Sequence, residues 1–182
     1  MLQPVIEPPG HDDVEQLLRP HEGRGWCVLH TRARHEKKVD AACRQLEVPA
    51  WLPLRISRTV SGGKVNTFHV PMFSGYVFAA LGPGELSVLK RTNSVAQRIE
   101  TRDEAGLLRD LLGVRVVERA GLEVELSPTF RRGQKVLVTG GPLAGVTGVV
   151  VRQKNRRRLQ VSVEAIMQAV LVDVVAEDLA GV

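Results

Sequence analysis

Two groups of residues have the types and spacing that chemistry requires. Gly140, Gly145 and Thr147 stand where a phosphate loop of the form G-x-x-x-x-G-K-S/T would place its glycines and hydroxyl. Such a loop also needs a lysine for the β/γ-phosphates and a helix whose N-terminus faces them. Val146 occupies the lysine position, and Val149-Val150-Val151 follow as a β-branched run that favours a strand. Two strands joined by a Gly/Pro-rich loop fit every residue of Phe130–Val150.

The second group is Cys27, His30, His35 and Cys43, all of metal-ligand type. Strand alternation puts Cys27 and His30 on opposite faces, and the spacings match no usual zinc pattern, so no metal and no cofactor is expected. The sequence has no nucleophile elbow, no H-E-x-x-H pair and no paired-carboxylate motif, and the expectation is a protein that binds and does not catalyse.

The 182 residues are 43% hydrophobic and 25% charged, an ordinary globular balance with room for one domain or two small ones. The opening residues MLQPVIEPPGHDD have neither a basic n-region nor an apolar h-region, which leads to an expected cytoplasmic location without membrane attachment. Two cysteines are too few for a disulfide framework and are read as reduced core residues. A net charge of +5 and a pI near 9.7 suit a nucleic-acid or ribonucleoprotein setting. Aromatics make up only 4%, too few for a long base-stacking platform.

Residues 1–24 read as a flexible tail with one helical turn at Val14–Leu18. A buried strand at Trp26–His30 precedes a helix from about Arg34, where Val39, Ala42, Cys43 and Leu46 recur at helical spacing and Val48-Pro49 ends it. Two strand-like runs flank Ser61-Gly62-Gly63 as a hairpin, and Gly75–Ala80 is a third strand. In that strand Tyr76 and Phe78 share one face and Val77 and Ala79 the other, leaving an aromatic face outside the main core. A short helix fits Gly84–Arg91, and a second is predicted with Thr101 and Glu104 as its capping box and Gly113 as its end. The weak pattern after it is read as a linker over 114–129. Short strands then fill 130–182, as in a small closed barrel.

The order of these elements resembles the NusG-type transcription elongation factors. The N-terminal half, 25–113, is similar to their NGN domain: Trp26 opens the first strand, Arg34-His-Glu-Lys-Lys38 starts the helix, and Pro71-Met-Phe-Ser-Gly-Tyr-Val-Phe78 matches the family's P-L-F-P-G-Y-V-F. The C-terminal half, 130–182, looks like their KOW domain through Gly133-Gln-Lys-Val136 and Gly140-Gly-Pro-Leu-Ala-Gly-Val-Thr-Gly148. The resemblance implies an α+β protein: a four-stranded antiparallel sheet flanked by helices, then a five-stranded SH3-like barrel. It also implies docking of the NGN domain on the clamp helices of the RNA polymerase β′ subunit, favouring processive elongation, with the KOW domain contacting NusE and the ribosome, or Rho. A monomer is expected.

On that reading Phe73, Tyr76 and Phe78, with Trp26 as a neighbour, form the polymerase-binding patch, because docking a helical hairpin needs rigid apolar anchors; the other reading places all four in the core, where Trp26 mainly belongs. Tyr76→Ala with Phe73→Ala is then expected to weaken binding and leave the fold intact. Leu143 and Val146 stand where the housekeeping factor often carries phenylalanine for its partner. Arg152, Lys154, Arg156, Arg157 and Arg158 lie between two barrel strands, placed for phosphate contact or for a solvated turn, and Arg32, Arg34, Lys37 and Lys38 cluster near the NGN helix start, facing upstream DNA. Ser74 for the usual proline, Asn93-Ser94-Val95 for Pro-Gly-Val and Arg98 for an aromatic favour a specialised paralogue that antiterminates selected operons. The alternative is a KOW-containing ribosome- or RNA-binding protein that acts away from polymerase.

Overall fold

A computed structural model of the chain describes residues 11–127, 133–153 and 156–182. Helix α1 (His11–Leu17) leads into strand β1 (Gly25–Thr31), helix α2 (Glu36–Gln45) and strand β2 (Ala50–Trp51). A hairpin of β3 (Leu54–Ser61) and β4 (Lys64–Pro71) follows, turning through Gly62 and Gly63 at φ 59° and 76°. Next come β5 (Tyr76–Leu81), helix α3 (Glu85–Arg91), β6 (Val95–Glu100) and the long helix α4 (Glu104–Ala120). The C-terminal strands are β7 (Val124–Ser127), β8 (Gln134–Val138), β9 (Thr147–Gln153), β10 (Arg156–Val163), β11 (Gln168–Asp173) and β12 (Leu179–Gly181).

The N-terminal sheet has the antiparallel order β2-β5-β1-β6. Because strand side chains alternate, β1 and β5 divide their residues between two cores. Trp26, Val28, Phe78 and Ala80 face α4, while Cys27, Leu29, Val77 and Ala79 face α2 and its Val39 and Cys43. Both faces being covered explains why these strands are almost continuously apolar.

Three elements extend beyond the pattern in the sequence. Helix α4 passes through Gly113 and ends at Gly121, whose φ of 61° is the left-handed cap. Its N-cap is Asp103, which accepts from the Gly106 N–H at 2.8 Å; Thr101 instead accepts from the Asp103 N–H, and Glu104 accepts from the Trp26 N–H. Residues 124–127, expected in a linker, pair with β11. The C-terminal antiparallel sheet therefore has six strands, ordered β12-β8-β9-β10-β11-β7. Residues 14–24, expected in a free tail, are also anchored: Val14 and Leu18 are buried in the same cluster as Leu111, Val114 and Val117 of α4.

Gly113 belongs inside the helix for a tertiary reason. A Cβ there would sit 3.3 Å from Val161 Cγ1, so the missing side chain lets β10 approach α4 closely. A few residues earlier, Asp110 Oδ2 accepts the Glu164 N–H at 2.9 Å, a second link from helix to C-terminal sheet. Burial raises the Asp110 carboxyl above its ordinary value, with the neighbouring Glu164 charge adding to the effect and the Glu164 N–H opposing it.

Two outcomes follow from this seam. Gly113→Val should lower stability by about 1–3 kcal/mol despite its better helix propensity, because the added branch overpacks the contact with Val161. Urea unfolding measures this, and hydrogen exchange should show protection lost first along β10. Folding shifts Asp110 toward its protonated form relative to the unfolded chain, so its contribution to stability is greatest below the ordinary carboxylate range and is lost as pH rises through the raised value. Asp110→Asn keeps an acceptor for the Glu164 N–H and removes that dependence. Its stability advantage over the parent chain should grow as pH rises through this window, as read from melting curves across pH.

Candidate interaction surfaces

The four aromatics expected to form a contact patch lie mostly inside the protein. Phe73 and Phe78 have no exposed surface, and their rings meet edge to face at 6.3 Å. Trp26 is 3% exposed, and its indole N–H donates to the Arg19 carbonyl at 2.7 Å. The reason is α4, assisted by α1, which covers the sheet face on which these rings stand. Tyr76 is the exception: half-buried, it stacks on His30 at 5.2 Å between ring centres. Phe73, Phe78 and Trp26 therefore shape the core beneath a surface and do not line it.

Leu143 and Val146 are also enclosed, at 3% and 2% exposure. The loop that carries them makes a 3₁₀ turn at Gly141–Leu143 and returns through Gly145 at φ 88°, with the Gly145 N–H donating to the Val138 carbonyl at 2.8 Å. Strand β9 follows in place of the helix that a phosphate loop needs. The turn packs on α4, so Leu143 and Val146 belong to the apolar seam between the two sheets and are not presented to an outside partner in this arrangement.

The basic run of the C-terminal sheet is divided by its partners. Arg156 and Arg158 bond to Asp173 at 3.3 and 2.9 Å, and Arg158 also bonds to Glu125. Arg152 and Arg157 are exposed and face each other across β9 and β10, an unfavourable juxtaposition of like charges that an anion would relieve. Lys154 lies outside the described residues.

A cleft that the sequence only half revealed lies between α2 and the β3–β4 hairpin. Arg34, Lys37 and Lys38 at the start of α2 face Arg55 and Ser57 of the hairpin, with Leu126 of β7 closing one wall. The sequence grouped the first three; Arg55 was missed because it is distant in the chain. One signal was present: Leu54–Pro71 contains no Asp or Glu.

Cys27 and Cys43 are free and buried. Burial raises both thiols, Cys43 to about 12, so neither is a ready nucleophile. Among the described residues no three His, Cys, Asp or Glu side chains are grouped to hold a metal ion.

Because Phe73 is interior, its truncation is a test of the fold. Phe73→Ala should cost about 3–5 kcal/mol of stability, whereas Tyr76→Ala, at the edge of the core, should cost clearly less; denaturant midpoints of the two single variants measure the difference.

The family model described as "Transcription termination factor nusG" matches residues 24–112, which span β1 to most of α4 and hold the complete four-stranded sheet. No curated protein matches the chain significantly. Among solved structures, the chain is similar to an MjSpt4:Spt5 complex, conformation A, at 17% identity over 86% of this chain and 97% of that one. The TM-score is 0.28. The family match, carried by a domain with the four-stranded antiparallel sheet and flanking helices expected of an NGN domain, makes residues 24–112 a NusG-type N-terminal domain.

Proposed function

We propose that this protein binds RNA polymerase through its N-terminal domain, at the β′ clamp helices, and promotes processive elongation or antitermination as a specialised paralogue. The C-terminal KOW domain recruits NusE and the ribosome, or Rho, and the protein acts in the cytoplasm as a monomer without a catalytic step. The observation that carries this reading is the NusG match over 24–112. The seam on α4 shapes how the binding occurs. Leu143 and Val146 are covered by α4, and the face of α4 near Gly113 is covered in turn by the C-terminal sheet, so each half masks an apolar surface of the other. An apolar face of this kind is what a helical hairpin needs as a dock. Binding then exchanges an internal interface for an external one, and Tyr76, at the rim of the core, is the aromatic left to contact the polymerase.

The experiment is capture of RNA polymerase, NusE and Rho by the full chain and by two variants. Gly113→Val, which loosens the seam, should raise polymerase capture several-fold. Tyr76→Ala should lower it without unfolding the chain. No polymerase capture by either the parent chain or the loosened variant, together with co-sedimentation with ribosomal subunits in the absence of polymerase, would overturn the reading in favour of a ribosome-associated protein.

A further inference from the structure

Helix α1 has seven residues, well below the roughly 12–15 at which an isolated helix begins to hold in water. It forms because it is seated. Val14 and Leu18 are buried and Leu17 is half-buried, while Glu15, Gln16 and Arg19 are exposed. The three apolar residues, spaced i, i+3 and i+4, make one stripe that joins Leu111, Val114 and Val117 of α4 in a single cluster. Beside it, Arg119 of α4 meets the Glu15 carboxylate at 3.2 Å. Both side chains of that pair are half in water, so it sets the register of α1 more than it adds stability.

The same segment encloses Trp26. The indole N–H bonds to the Arg19 carbonyl, and the His21 ring lies 6.0 Å from the indole, its Nε2 2.9 Å from the Leu17 carbonyl. The chain is fastened firmly only beyond α1. Arg24 pairs with Glu85 at 2.7 Å and donates to the Glu47 carbonyl at 3.2 Å, and the Trp26 backbone N–H donates to Glu104 at 3.3 Å. Between α1 and these anchors stand Pro20 and Gly23, the latter at φ 70° with nothing within 4 Å of where a Cβ would stand. A hinge over residues 20–23 lets α1 lift while β1 keeps its place.

We propose that α1 is a stand-in for a partner's helix: it fills, within its own chain, a groove between α4 and Trp26 that accepts an amphipathic helix, and it lifts before that partner docks. The chemistry of the partner is written in α1 itself, as apolar residues at i, i+3 and i+4 with a carboxylate directly after the first to meet Arg119. Tryptophan is among the commonest interface anchors, and lifting α1 bares one at the end of the groove. Two buried side chains set against seven residues that must be ordered leave α1 a small surplus, so a longer helix that is already formed displaces it. Naming the polymerase hairpin as the source of that helix rests on the function proposed for the N-terminal domain.

Hydrogen exchange of the full parent chain tests the lifting without any variant. The Leu18 amide and the Trp26 indole N–H should exchange through one shared local opening, about tenfold or more faster than the amides of β1. Val14→Asp with Leu18→Asp should release α1 and keep the amide spectrum of β1 and β5. A synthetic peptide of residues 11–20, added at millimolar concentration, should then shift the Trp26 indole and the α4 amides of a single Val14→Asp, Leu18→Asp chain, and shift those of the parent far less. The released variant should capture RNA polymerase several-fold better than the parent, and excess peptide should reverse the gain. Exchange of Leu18 and the indole only at the rate of β1 overturns the proposal, as does a folded variant that the peptide leaves unshifted or whose polymerase capture falls below the parent's. If the peptide binds the variant but no form of the chain captures polymerase, the polymerase is overturned as the partner while the helix groove is upheld.

Discussion

Helix α4 is apolar on more than one side, and the rest of the structure depends on that. One face, through Leu111, Val114 and Val117, closes the core that holds Phe73, Phe78 and Trp26. Another, around Gly113, receives Val161 and the turn carrying Leu143. Each large side chain removed from water contributes about 1.5–3 kcal/mol, so a helix with two such faces is unstable when either is bare. Both sheets are therefore coupled to one element, and a single apolar cluster runs through both halves of the chain.

The same helix positions the hairpin. Glu118 of α4 accepts the backbone N–H of Leu54 at 2.7 Å at the foot of β3, and Arg115, 4% exposed, pairs with that glutamate. A buried pair of this type adds little net stability, but its donors and acceptors must meet in one geometry. The direction in which the hairpin leaves the domain, and the width of the cleft beside it, are thus set from α4. The charge of the chain is also distributed unevenly: Arg156 and Arg158 of β10 meet carboxylates, while Arg34 and Arg55 beside the start of α2 have no carboxylate partner among the described residues.

Local elements were legible in the sequence because local physics determines them. The hairpin turn was visible in Gly62-Gly63, and the return at Gly145 in the glycine spacing of its loop. The alternation of Tyr76, Val77, Phe78 and Ala79 correctly separated two faces, but a period of two cannot say what covers each face. The burial of Phe73, Phe78, Leu143 and Val146 was hidden for that reason. Gly113 misled as a helix end because its role is contact with Val161, nearly fifty residues away. Val14 and Leu18 were obscured by the prolines around them, since local composition carries no trace of the groove they fill. Asp103 took the cap in place of Thr101, in keeping with the stronger capping preference of aspartate over threonine.

Only Gly121, Leu122 and Glu123 separate the end of α4 from β7. Three extended residues reach about 10 Å, so a C-terminal sheet that leaves α4 swings about this joint and stays within a short radius of its seat. Its effective concentration at that seat is in the millimolar range or above. A modest internal contact held at such a concentration competes as a tight ligand would, and any outside protein must displace it with several contacts made together. The three-residue joint thereby converts a small interface into a threshold, one that a single weak encounter does not cross and a surface touching the chain at several points does.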